Sequence, residues 1–65
     1  MRTFEKYKQN LKADNNAIYS YDTKVAVIEP NRIVQIAYHS ATTQAHIRYA
    51  ARMLDLRLIE TKIKL

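Results

Sequence analysis

The stretch AIYSYDTKVAVIEPNRIVQIAY, residues 17–38, decides how the chain is read. Residues 17–29 are rich in aromatic and β-branched types. Tyr19, Tyr21, Thr23, Val25 and Val27 alternate onto one face, as a half-buried strand requires. Pro30-Asn31 then makes a turn, because Pro pre-sets φ for the first turn position and Asn tolerates the next. Ile33 to Tyr38 forms the returning strand. The pattern is a β-hairpin, and the other segments are placed around it.

Upstream, Phe4, Tyr7 and Leu11 recur at the i, i+3, i+7 spacing of a helix stripe, with Arg2, Lys6, Lys8 and Lys12 largely off it. Asp14-Asn15-Asn16 ends that helix, since Asn accepts the left-handed conformation that a C-terminal glycine usually supplies. Downstream, Ser40, Thr42 or Thr43 can cap a second helix running from Ala41 to about Leu54. Ile47, Ala50, Ala51, Leu54 and Leu58 form its inward stripe, and Gln44, Arg48, Arg52 and Asp55 fall opposite. From Arg57 to Leu65 the chain alternates, with Ile59, Thr61, Ile63 and Leu65 on one face and Glu60, Lys62 and Lys64 on the other. This predicts a terminal strand able to pair with either earlier one.

The expected architecture is a single α+β domain over residues 1–65, in the order α-β-β-α-β. Its three-stranded, mainly antiparallel sheet carries two helices packed on one face. Period-two alternation turns Val25, Val27, Val34, Ile36, Tyr38, Ile59 and Ile63 toward the helices, and Ile18, Ala26, Ile28, Ile33 and Ala37 away. The second face is too apolar to leave wet, so it predicts self-association. Length points the same way: 65 residues make a domain that buries only about 60% of its unfolded surface. A homodimer is the expected state.

Composition narrows function by exclusion. The chain has no Gly, no Cys, no Trp and one Pro. Without Gly it can hold neither a P-loop nor a G-x-G-x-x-G fingerprint, both of which need backbone to approach phosphate. Without Cys there is no disulfide framework and no Cys zinc site. The segment Met1-Arg2-Thr3-Phe4-Glu5-Lys6-Tyr7-Lys8 has no apolar core of a signal peptide, and no apolar run approaches membrane-spanning length. The expected location is the cytoplasm, with no membrane partner. Eleven Lys and Arg against six Asp and Glu give a formal charge of +5 and a pI near 9.8. By segment the charge is +3 over residues 1–13, −2 over 14–30 and +4 over 31–65.

Two features can carry chemistry. Arg48 and Arg52 lie one helical turn apart with Gln44 one turn before them, a Gln/Arg/Arg stripe on the outer face of the second helix. Arg and Gln make bidentate contacts to guanine and adenine edges, and Arg also fits phosphate. Lys62 and Lys64 would add phosphate contacts, and Tyr49 sits on the flank of the same helix. The other feature is the polar run His39-Ser40-Ala41-Thr42-Thr43-Gln44-Ala45-His46. There Ser40, Thr42, Thr43 and His46 line a helix start that favours anions. Two histidines without Cys or a matched carboxylate do not make a metal site, so no metal and no cofactor are expected. Nor does any acid lie beside a histidine to orient it as a base, so neither an enzyme nor a small-molecule substrate is expected.

The segment from Tyr38 to Ile47, preceded by Thr23-Lys24-Val25-Ala26, resembles a group of short uncharacterised proteins encoded by tailed bacteriophages. In these a hairpin runs into an S-x-T-T-x-x-H-I helix start, matched here by Ser40, Thr42, Thr43, His46 and Ile47. The resemblance covers about residues 20–56 and implies a viral source, hence the host cytoplasm. The leading expectation is a small non-enzymatic nucleic-acid-binding accessory protein that uses its basic helix face. The alternative is a phage host-takeover or anti-defence protein that binds and inhibits a host protein.

Overall fold

The computed structural model of the chain describes residues 2–61. Six strands form one sheet in sequence order: β1 (Arg2–Thr3), β2 (Leu11–Ala13), β3 (Ala17–Ser20), β4 (Thr23–Glu29), β5 (Arg32–Gln35) and β6 (Arg57–Ile59). Among the described residues there is one helix, α1 (Ala41–Leu54), and it connects β5 to β6. Neighbours from β1 to β5 pair antiparallel, and β6 lies parallel to β5 after the helical crossover that parallel pairing needs.

The hairpin at Pro30-Asn31 is present, with Glu29 opposite Arg32, Ile28 opposite Ile33 and Val27 opposite Val34. The helix after Ser40 runs from Ala41 to Leu54, as its spacing predicts. A terminal strand also begins at Arg57, as β6, paired with β5; the rest of the expected architecture is overturned. In place of α-β-β-α-β, with three strands and two helices, there is a six-stranded mixed sheet under one helix. Residues 2–13 form β1, a loop and β2. Phe4 and Leu11 are buried and Tyr7 is half-buried, so the inward residues of the expected helix are inward here too. They get there by strand pairing, since Leu11, Lys12 and Ala13 register against Ser20, Tyr19 and Ile18. A one-sided sheet edge can bury the same side chains as an amphipathic helix, and pairing with β3 satisfies the backbone of a segment too short to be stable as an isolated helix.

Residues 17–29 also differ from the single strand expected of them. The chain reverses at Tyr21-Asp22, where φ is +52° and +65°. Two successive positive φ values mark the tight turn whose twist matches its flanking strands. A slip in register between β3 and β4 at Ile18/Tyr19 then lets Val25 and Ala26, adjacent in sequence, both be buried. This shift inverts the expected faces. Ile18, Ala26, Ile33 and Ala37 are in the core under α1, whereas Val27 and Val34 are half-buried and Ile36 and Ile59 are exposed on the side the helix leaves open. Val25 keeps its predicted place, and Tyr38 is half-buried. The alternating terminal strand begins at Arg57 and β6 ends at Ile59; Ile63 and Leu65 lie outside the described residues.

With no glycine available, left-handed positions fall to Tyr7, Tyr21, Asp22 and Asp55. None of the expected asparagines is among them. Asp14 closes the β2–β3 turn instead, its Oδ1 accepting the Asn16 and Ala17 amides at 2.7 Å each. At the end of α1, Asp55 N–H donates to Arg52 O and Leu56 N–H to Ala51 O, the paired bonds of a Schellman cap.

Candidate functional site

Of the three candidate caps, Ser40, Thr42 and Thr43, it is Ser40 that caps α1. Its backbone is extended (φ −160°, ψ 166°), and its Oγ accepts the Thr43 amide at 3.1 Å. The rest of the helix start is turned inward. Thr43 and His46 are buried, and Ser20 on β3 lies between them, with its Oγ 3.2 Å from Thr43 Oγ1 and 2.9 Å from His46 Nδ1. Tyr7 and Tyr21 cover the imidazole, their ring centroids 4.3 and 5.6 Å from it. Burial lowers the His46 pKa below its ordinary value, so the ring is neutral inside this cluster. Of the four residues expected to bind an anion, only Ser40 and Thr42 are exposed, and Ser40 is already engaged as the cap. A Ser–His contact does exist, but it belongs to Ser20. At 2% exposure for each residue it offers no path to a substrate. Every buried side-chain polar atom among the described residues has a hydrogen-bond partner, which marks this cluster as internal structure.

The Gln/Arg/Arg stripe is also dismantled in part. Gln44 is buried against β5, where Gln35 Nε2 donates to Gln44 Oε1 at 2.7 Å and Gln44 Nε2 donates back to Gln35 Oε1 at 2.9 Å. Gln35 Nε2 also reaches Ala37 O at 3.0 Å. Gln44 is therefore withdrawn from any surface stripe. Arg48 is exposed but holds Glu60 through two parallel bonds, Nε to Oε2 at 2.9 Å and Nη2 to Oε1 at 3.0 Å. The Glu60 hydrogen bond raises the Arg48 pKa further. Arg52 remains exposed at the centre of the outer arc. Lys62 and Lys64 lie outside the described residues.

The structure adds one cation to this arc. The loop between β1 and β2 lays Phe4 and Tyr7 edge-on against Tyr49, at centroid distances of 6.0 and 5.5 Å. The Lys6 amide donates to Tyr49 Oη at 3.3 Å, and Lys6 Nζ stands 5.3 Å from the Tyr7 ring and 6.0 Å from Tyr49. Lys6 is thereby placed beside the helix flank. In sequence it is separated from Tyr49 by 43 positions, and no local signal connects the two. Ser20 and Gln35 were missed for a related reason. Each is a polar residue at an inward strand position, recognisable only once the strand phase is known.

An open groove of about 440 Å³ lies at the other end of the helix, between Arg2, Asp14, Asn15, Leu54 and Leu56. The Asp14 carboxylate there is engaged by two backbone amides and by the Tyr19 hydroxyl at 3.1 Å. The first of these amides, that of Asn16, does most to lower the Asp14 pKa. Among the described residues, no group of three or more His, Asp or Glu is placed to hold a metal ion. No helix among them is long and apolar enough to cross a membrane.

A family model matches residues 2–61, and its description is a family of unknown function, DUF8033. The chain belongs to this family. The match begins at β1 and ends just after β6, so the family unit is the whole sheet with its helix. No curated protein and no solved structure matches the chain.

Proposed function

We propose that this protein is a small, non-enzymatic, phage-encoded nucleic-acid-binding accessory protein that works from the outer arc of α1. One observation carries the reading. Between its caps, α1 holds only two charged side chains outside the core, Arg48 and Arg52, and both are cationic and exposed. Lys6 extends the arc on the Tyr49 side. A helix with arginines along its exposed face and no carboxylate within its length suits a phosphate backbone or a groove edge. Arg52 makes the principal contact, Lys6 and Arg48 add phosphate contacts, and Thr42 supplies a hydroxyl near the helix start. Since Arg48 must share its guanidinium with Glu60, it contributes less than Arg52.

The reading is tested by fluorescence anisotropy on labelled duplex and single strands at about 50 and 200 mM salt. Two or three phosphate contacts predict a salt slope of about −2 to −3 in log–log form. Arg52→Ala should lower the slope by about 1 and weaken binding several-fold on every sequence. Absence of binding at 50 mM salt would refute the proposal. One stoichiometric protein captured from nuclease-treated host lysate would then favour the inhibitor alternative.

A further inference from the structure

We infer that the helix-free face of the sheet packs against the same face of a second copy of this chain. The register defines that face row by row. Val27, Val34 and Ile59 are aligned across β4, β5 and β6 and form an apolar stripe, with Ile36 beyond it. Lys12, Tyr19 and Lys24 make one flanking row across β2, β3 and β4, and Glu29, Arg32 and Arg57 make the other. The helix lies on the opposite side, so no element of the described chain covers the stripe. Ile36 and Ile59 are 40% and 37% exposed.

Charge selects the occupant. Lys12 is paired with Asp22 at 3.9 Å, Arg32 is paired with Glu29, and the Asp14 carboxylate lies beside Tyr19 and Lys24. Four cations and three anions leave the face close to neutral, which gives little attraction to a polyanion and little repulsion to an identical face. Both signs occur in both flanking regions, so a two-fold packing can set cations against anions in either orientation. Size also fits. The molecule extends over 27 × 25 × 16 Å, so an interface of the standard ~800 Å² per partner would take up about one whole face of it. Covering the stripe also gives a 65-residue chain the apolar burial that its length otherwise limits. In this arrangement both α1 helices point outward, so the dimer leaves the proposed nucleic-acid face open on each copy.

Sedimentation equilibrium on the full chain without nucleic acid, from about 1 to 200 µM, tests the inference. Twice the 7.6 kDa chain mass is expected at the upper concentrations. Ile59→Lys and Ile36→Lys, at exposed positions that should not disturb folding, should each weaken association by at least about 10-fold, and the double variant should be monomeric with an unchanged circular dichroism spectrum. Arg52→Ala, on the opposite side, should stay dimeric. A monomer at 200 µM would overturn the inference, and so would a dimer that survives the double variant. Neither result would bear on nucleic-acid binding, which is read separately by anisotropy.

Discussion

The reciprocal amide pair between Gln35 and Gln44 yields an asymmetric prediction. Leucine is close to glutamine in volume, so Gln→Leu removes hydrogen bonds while leaving little cavity. Gln44→Leu takes the donor from Gln35 Oε1, but Gln35 Nε2 keeps its bond to Ala37 O. Gln35→Leu strands both polar atoms of Gln44 and the Ala37 carbonyl. With each buried group left unsatisfied costing about 1–3 kcal/mol, Gln44→Leu, which strands one group, should lose about 1–3 kcal/mol and Gln35→Leu, which strands three, about 3–9 kcal/mol. Replacing both residues strands only the carbonyl, so the double variant should lie about 1–3 kcal/mol below wild type, well above the Gln35→Leu single. A chain of this size has roughly 3–10 kcal/mol in total, so these are large fractions of its stability. Urea unfolding followed at 222 nm reads them, and with a slope near 1 kcal/mol/M each 1 kcal/mol moves the midpoint by about 1 M. Additive losses in the double variant, or equal losses in the two singles, would refute the reasoning. Folded Gln44→Leu should retain its nucleic-acid affinity, whereas a base-contacting glutamine would lose it.

Two further outcomes follow from the interior and the turns. Burial holds the His46 pKa below its ordinary 6.5, so below that pH the unfolded chain takes up a proton that the folded chain refuses. Stability should therefore be level above about pH 7 and fall as pH drops through 6.5, by up to about 1.4 kcal/mol per unit until the folded-state pKa is reached. Urea midpoints that match at pH 7.5 and pH 5 would contradict a buried neutral His46. At the Schellman cap Asp55 sits at φ +56°, so Asp55→Gly should raise the thermal midpoint by a few degrees, about 0.5–1 kcal/mol. An unchanged or lower midpoint would show that the left-handed backbone there carries no cost.

Much of the candidate site depends on one question of phase. From the heptad-like spacing of α1, Gln44 and Arg48 lie one turn apart on the same side, and this is true of their backbone positions. Their fates diverge because Gln44 borders the helix–sheet seam, where Gln35 waits at an inward position of β5, while Arg48 clears the rim and meets Glu60 beyond β6. The same holds for His46, which local sequence places at a helix start and tertiary packing places between Ser20, Tyr7 and Tyr21.

By itself the sequence determined the α1 span and a hydroxyl cap among Ser40, Thr42 and Thr43, the hairpin at Pro30-Asn31, the inward disposition of Phe4 and Leu11, and the exclusion of glycine-built phosphate loops. Each of these rests on local chemistry: a cap, a fixed φ, an apolar spacing, a missing residue type. Only the tertiary structure decided that residues 2–13 pair as strands, that Tyr21-Asp22 reverses the chain, and that Val27, Val34, Ile36 and Ile59 face outward. Side chains alternate with period two, so one turn and one register slip were enough to exchange the faces of the sheet. The pairing energy that sets that register comes from strands distant in sequence.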